Sequence, residues 1–88
     1  MASSKIEEAP PASEHVTGYD RRHLKTYARL LDAAADQADW REVARIVLGL
    51  DPAEEPERAR RVYDAHLERA WWMAETGHRD LIRGLRPH

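Results

Sequence analysis

The chain has 88 residues, no cysteine and a net charge of −2 at pH 7. This length fits one small domain, and the lack of cysteine excludes both a disulfide framework and a thiolate metal site. No run of about 18 apolar residues is present and the first residues contain no apolar signal segment, so we expect a cytoplasmic protein without a membrane span.

The charged residues are unevenly distributed along the chain. Residues 20–35 contain four basic and two acidic residues, whereas residues 36–57 contain seven acidic residues against two arginines. The middle of the sequence is therefore an acidic block within a chain that is nearly neutral overall.

The first ordered element is predicted to begin near Tyr19. Residues 1–18 are rich in Ser, Ala, Pro and Glu and have no apolar periodicity, which predicts a disordered tail ahead of a domain over residues 19–88. Asp20 is a suitable N-cap for a helix that should end near Ala35. Apolar residues spaced by three and four predict the buried face of this helix: Leu24, Tyr27, Ala28, Leu31 and Ala35.

A short second helix is predicted after a connection over residues 36–39. Asp39 and Glu42 have the spacing of a capping box, and Gly49 can end the helix because glycine adopts positive φ without strain. Its buried residues should be Trp40, Val43, Ala44 and Val47.

The third helix is predicted to start at Pro56 after an extended turn. Asp51 and Pro52 resemble a helix start, but Pro56 cannot supply the N–H group that a continuing helix needs, so we expect one turn and then a new helix to about Thr76, followed by Gly77. A short helix over residues 79–83 should follow, which makes the chain all-α with three main helices and a short C-terminal one. The predicted buried face of the third helix comprises Ala59, Val62, Tyr63, His66, Leu67, Ala70, Trp71 and Ala74.

The histidines do not indicate a metal site. None of them forms a His-x-x-x-His pair, and a domain this small has little concave volume for catalysis. We therefore expect no metal, no cofactor and no enzymatic activity, and we expect His66 to be a hydrogen-bonded structural residue on the buried face. The five histidines are His15, His23, His66, His78 and His88.

The tryptophans have different expected roles. Trp40 and Trp71 are predicted to lie in the core. Trp72 points about 100° away from Trp71 on the same helix, so it either packs under the C-terminal helix or is exposed. If exposed, Trp72 together with Met73 could anchor a protein interface.

The charges around the extended turn disfavour DNA binding. In a helix-turn-helix protein the start of the second helix of the motif enters the major groove, where basic and amide side chains contact bases. Here that region carries three arginines, Arg58, Arg60 and Arg61, but also an acidic surface that would face the phosphates. This acidic surface consists of Asp51, Glu54, Glu55 and Glu57.

The motif itself resembles a known family. Residues 40–49, an extended turn and residues 59–63 are similar to a helix-turn-helix, although the turn is several residues longer than usual and Ala44 precedes Gly49 by five positions rather than four. Together with residues 19–24 and 71–77, they resemble an extended-turn helix-turn-helix family of proteobacterial mobile elements, formerly a domain of unknown function.

The resemblance implies a role in regulating horizontal gene transfer. In this family, activators carry the domain with a basic DNA-binding face and dock its opposite face on their own N-terminal domain. Antiactivators consist of the domain alone with a negative surface, and they bind that N-terminal domain and block activation. The acidic block leads us to expect an antiactivator of conjugative element transfer, linked to quorum sensing, that acts as a monomer without direct nucleic-acid binding.

The expected partner is therefore the N-terminal domain of a transcriptional activator. The residues predicted to bind it are Arg22, His23, Tyr27, Trp72 and Met73. Two alternatives remain open from the sequence: a DNA-binding repressor that uses Arg58, Arg60 and Arg61, and a small homodimeric adaptor.

Overall fold

The computed structural model describes residues 6–77. Within this range the chain forms helices and no strand, which confirms the predicted all-α class. None of these helices is both long and apolar enough to cross a membrane. The predicted helix over residues 79–83 lies outside the described residues. The elements in chain order are α1 (Gly18–Arg22), α2 (Leu24–Ala35), α3 (Trp40–Ile46), α4 (Pro56–Trp72) and a π-helical segment (Met73–Gly77).

The first predicted helix is divided into α1 and α2. Thr17, not Asp20, is the N-cap: the Thr17 hydroxyl accepts a hydrogen bond from the Asp20 amide at 3.1 Å, and the Asp20 carboxylate accepts one from the Thr17 amide at 2.9 Å. His23 has φ −116° and ψ 21°, which interrupts the helix between the two parts. The N-cap prediction was therefore wrong by three residues, because Asp20 occupies the third position of a capping box.

The buried face of α2 also differs from the prediction. Tyr27 and Leu30 are buried, whereas Leu24 is 42 % exposed and Ala28 and Ala35 are exposed. The predicted burial of Tyr27 is therefore confirmed, and its hydroxyl bonds to the buried Asp20 carboxylate. Leu30 joins Tyr27 on the buried face, although the apolar spacing did not include it.

The ends of α2 and α3 depend on two residues with positive φ. Gln37 has φ 59°, and the Ala38 amide donates to the Ala33 carbonyl at 3.0 Å, as in a Schellman motif. Gly49, as predicted, has φ 70°. Asp39 caps α3 through the Arg41 amide, but no return bond from the Glu42 side chain is found between residues 6 and 77, so the predicted capping box is only half formed.

The extended turn over residues 47–55 has the predicted form. The Glu55 amide donates to the Asp51 carbonyl at 2.9 Å, which closes a single turn, and the Glu54 amide donates to the Asp51 carboxylate at 3.1 Å. Pro56 then occupies the first turn of α4, where its missing N–H group costs no hydrogen bond. The turn places α3 and α4 against each other on one core.

The core lies where α2 and α3 pack on α4. It includes buried residues from every helix after α1 and the first residue of the π-helical segment. Its members are Tyr27, Leu30, Val43, Ala44, Leu48, Tyr63, Ala70 and Met73.

Residues 6–17, which we call the N-terminal segment, lie against this core. They form no helix or strand, but Ile6 and Val16 pack against the core and Arg69 donates to the Ser13 carbonyl at 2.7 Å. The segment is placed by long-range polar contacts, which leave no periodic signal in the sequence.

Candidate protein-interaction surface

The extended turn and the first turn of α4 form an exposed acidic surface. Asp51, Glu54, Glu55 and Glu57 all have exposed side chains, as their positions ahead of and within the first helical turn suggest. Carboxylates near a helix N-terminus are stabilised by the partial positive charge of the free N–H groups. The predicted acidic surface is therefore accessible to a partner.

The three arginines that follow are each paired with a carboxylate. Arg58 Nε lies 2.7 Å from Glu8 Oε2, and Arg61 Nη2 lies 3.6 Å from Glu8 Oε1. Arg60 Nε donates to both oxygens of Asp64 at 3.1 Å, and its guanidinium lies 5.0 Å from the centre of the Trp40 ring.

The electrostatic result is a negative surface at the start of α4. Six carboxylates from the acidic surface, Glu8 and Asp64 share this region with three guanidinium groups. A phosphate backbone approaching here would meet net repulsion and arginines already engaged by carboxylates. This is the opposite of the charge that a DNA-reading helix presents.

Three residues predicted to contact a partner are buried. His23 is 3 % exposed, Tyr27 is 2 % exposed and Met73 is 6 % exposed, so none of them offers a free side chain. His23 stacks near Tyr19 at the break between α1 and α2, and Tyr27 reaches a buried carboxylate. Met73 turns inward because it continues the three–four spacing of the buried residues His66, Arg69 and Ala70 on α4.

The remaining two predicted residues are accessible to different degrees. Arg22 is exposed at the end of α1. Trp72 is half-buried: the Arg69 guanidinium lies 3.8 Å from its ring centre, and its ring lines a groove with residues 9–12. It is therefore neither a core residue nor a free anchor.

Trp71, predicted to lie in the core, is instead 50 % exposed. Its neighbours three positions before and four after, Glu68 and Glu75, are also exposed, so the ring stands on a helix face with acidic residues around it. Within the apolar run over residues 71–74, the prediction placed Trp71 in the core, whereas the structure buries Met73. The exposed Trp71 is a site residue that this reasoning missed.

A buried ion pair holds α1, α4 and the N-terminal segment together. Arg69 donates to both carboxylate oxygens of Asp20, at 3.1 and 2.7 Å, and Tyr27 donates to the same carboxylate at 2.8 Å. Asp20 has no exposed surface. Burial by itself would raise the pKa of Asp20, but the hydrogen bonds from Arg69, the Thr17 amide and Tyr27 outweigh it and hold the pKa at about 2.

Burial also affects the titration of the neighbouring aromatic residues. Burial, followed by the bond to Asp20, raises the pKa of Tyr27. Burial likewise raises the pKa of Tyr19. Both hydroxyls therefore remain protonated donors at neutral pH.

His66 is a structural residue, as predicted. It has no exposed surface, its Nδ1 lies 2.8 Å from the Val62 carbonyl, and its Nε2 lies 2.6 Å from the Tyr19 hydroxyl. Burial lowers the pKa of His66, so the ring is neutral with Nδ1–H donating and Nε2 accepting. The Tyr19 hydroxyl in turn accepts from the Glu7 amide at 3.0 Å, which links this pair to the N-terminal segment.

The buried polar groups of residues 6–77 serve packing. Asp20 bonds to Arg69 and Tyr27, His66 bonds to Tyr19 and to the Val62 carbonyl, and no three His, Asp or Glu residues in this range could hold a metal ion. The exposed features of this range include the acidic turn and Trp71.

No family model matches the chain, and no characterised protein matches it significantly.

Proposed function

We propose that the protein is an antiactivator that binds the N-terminal domain of a transcriptional activator. The observation that carries this proposal is the charge at the start of α4, where Arg58, Arg60 and Arg61 are each paired with a carboxylate beside the exposed acidic turn. A helix-turn-helix scaffold with this charge is suited to binding a protein and poorly suited to reading DNA. The regulated process, by resemblance, is conjugative element transfer under quorum-sensing control.

The contact with the activator is proposed to centre on Trp71. This tryptophan is half exposed, and buried tryptophans supply much of the binding energy at protein interfaces. It lies fifteen residues beyond Pro56 along the helix, about 22 Å from the acidic turn. The exposed Glu68 and Glu75 beside it favour a partner pocket that is apolar at its centre and basic at its rim.

The proposal is tested by titrating the protein against the activator's N-terminal domain in a calorimeter. Trp71→Ala should weaken the complex by at least about thirtyfold, the loss expected for an interface anchor. Ile46→Ala is the matched control, because Ile46 is 66 % exposed on α3 and its removal should leave the affinity within about twofold.

A mobility-shift assay with promoter DNA separates this function from the alternative. The antiactivator should cause no salt-sensitive shift. A tight shift that disappears when Arg58, Arg60 and Arg61 are changed to Glu would contradict the proposal and identify a repressor. Equal loss of activator binding in the Trp71 and Ile46 variants would contradict the assigned contact surface.

A further inference from the structure

A second surface of α4 does not include Trp71. This surface, which we call the segment groove, is lined by Arg58, Arg61, Ala65, Glu68, Arg69 and Trp72. In the structure it is occupied by the chain's own N-terminal segment, residues 6–17.

The N-terminal segment is held at both ends of the segment groove by arginines. At one end Glu8 lies 2.7 Å from Arg58 and 3.6 Å from Arg61. At the other, Arg69 donates to the Ser13 carbonyl at 2.7 Å and to the His15 carbonyl at 3.0 Å. These contacts use one carboxylate and two backbone carbonyls of the segment. They therefore depend on the backbone conformation of the segment and on one negative charge, and not on the identity of most of its side chains.

The N-terminal segment lies along α4. From Arg58 to Arg69 the helix rises about 16 Å, and the segment follows this stretch from Glu8, where the chain bends, to Ser13. The segment therefore runs beside α4 in the same direction. Pro10 and Pro11 favour an extended form because their rings fix φ near −65° and keep the preceding residue out of the helical region.

The segment groove has the chemistry of a surface that binds proline-containing peptides. A cavity of about 460 Å³ is lined by residues 9–12 of the segment and by Ala65, Glu68, Arg69 and Trp72 of α4. The Trp72 ring is covered by the Arg69 guanidinium at 3.8 Å, which fixes an aromatic wall beside the two prolines. Extended proline-containing segments bind proteins in such aromatic-lined grooves, and the pair of arginines adds selectivity for an acidic residue ahead of the prolines.

We propose that the segment groove binds an extended, acidic, proline-containing segment of another protein, and that residues 6–17 occupy it in the free protein. The chain's own segment is then an intramolecular competitor. Its tethering gives it an effective concentration in the millimolar range, so an external segment binds well only when the internal one is weakened or displaced.

The test uses a fluorescein-labelled synthetic peptide of residues 6–17 titrated with the full chain, with binding read by fluorescence anisotropy. Glu8→Arg is made in the chain but not in the peptide. It replaces the ion pairs of Glu8 with Arg58 and Arg61 by repulsion between like charges, which weakens the internal segment. Peptide binding should therefore tighten by at least about fivefold. Glu14→Arg makes the same charge change at an exposed carboxylate that forms no ion pair within residues 6–77, and it should bind the peptide as the unmodified chain does.

Two peptide variants test the recognition itself. A peptide with Glu8→Arg, and one with both Pro10 and Pro11 changed to Ala, should each bind the Glu8→Arg chain at least about fivefold more weakly than the unmodified peptide. A charge-exchanged pair gives an independent check: a chain with Arg58→Glu and Arg61→Glu should prefer the Glu8→Arg peptide. Circular dichroism verifies that every chain variant keeps its helicity.

The proposal is overturned if the Glu8→Arg chain binds the peptide no better than the Glu14→Arg chain, or binds all three peptides equally. It is also overturned if Glu8→Arg produces salt-sensitive DNA binding without peptide binding, since Arg58 and Arg61 would then serve a nucleic acid. Trp71→Ala should leave peptide binding unchanged, so failure of the activator contact and failure of the segment groove are distinguishable.

Discussion

Replacing Asp20 by Asn tests whether the buried ion pair with Arg69 holds the fold together. Asparagine keeps the shape, but its single side-chain oxygen can accept either from the Thr17 amide, which bonds to Oδ2 of Asp20, or from Tyr27, which bonds to Oδ1. The change therefore removes the charge and one of these two hydrogen bonds. Arg69, only 9 % exposed, is then left without its carboxylate partner. Removing one partner of a buried pair costs about 3–5 kcal/mol.

The lowered pKa of Asp20 gives a second value for the contribution of this carboxylate to the free energy of unfolding. A carboxyl pKa that folding lowers from 3.8 to about 2 corresponds to about 2.5 kcal/mol of stability. Because the folded pKa is the lower one, this contribution is fully present above about pH 4 and is lost as the pH falls toward 2. Both magnitudes are large for a chain of this length, whose total free energy of unfolding should be about 4–13 kcal/mol.

The assay is urea unfolding followed by circular dichroism, together with thermal melts. At pH 7 Asp20→Asn should lower the free energy of unfolding by about 3 kcal/mol and the Tm by at least about 12 °C. Between pH 4 and 2 the difference from the native chain should shrink, because the native carboxylate becomes protonated. Asp64→Asn is the control: Asp64 pairs with Arg60 at an exposed site, so its loss should cost less than about 1 kcal/mol.

The reasoning is refuted if the two Asn variants lose the same stability. It is equally refuted if the stability difference between Asp20→Asn and the native chain does not change between pH 4 and 2.

Three further outcomes are expected from unfolding measurements. The free energy of unfolding should fall as the pH drops below about 6.5, by up to about 1.4 kcal/mol per pH unit. The reason is that burial lowers the pKa of His66, so the unfolded chain takes up the proton first. His66→Gln should flatten this pH dependence, and a flat pH profile of the native chain would count against the buried neutral ring. Gly49→Ala should lower the free energy of unfolding by about 1 kcal/mol. No atom lies within 4 Å of the added methyl group, so the loss comes only from the strain of a positive φ at a residue with a side chain. Gly49→Asn should lower the free energy of unfolding by less. Trp71→Ala should change the free energy of unfolding by less than about 0.5 kcal/mol, and a loss above about 2 kcal/mol would place Trp71 in the core after all.

The sequence by itself determined most of the secondary structure. The positions of Asp39, Gly49, Asp51 and Pro56 predicted how α3, the extended turn and α4 begin and end, because capping, positive φ and the missing proline N–H act within a few residues. The acidic turn was likewise predictable, since carboxylates this close together at helix boundaries remain exposed. His66 could be assigned a structural role because it lies on a regular apolar face.

Only the tertiary structure decided which side chains face the core near the ends of the helices. Trp71, Trp72 and Met73 are all large and apolar, so their composition does not show which of them faces the core; packing buries Met73, in line with His66 and Ala70, and leaves Trp71 exposed. Packing likewise adds Leu30 to the buried face of α2 and leaves Leu24 and Ala28 exposed.

The contacts of Asp20 and the N-terminal segment also depend on tertiary structure. Asp20 meets Arg69 across 49 positions of sequence, and Glu8 meets Arg58 across 50. Such pairs have no periodicity, because each depends on the distance between elements that only packing brings together. The net charge of −2 therefore conceals an arrangement in which Glu8 pairs with Arg58 and Arg61, Asp64 pairs with Arg60, and Asp20 pairs with Arg69, which only packing of the chain brings about.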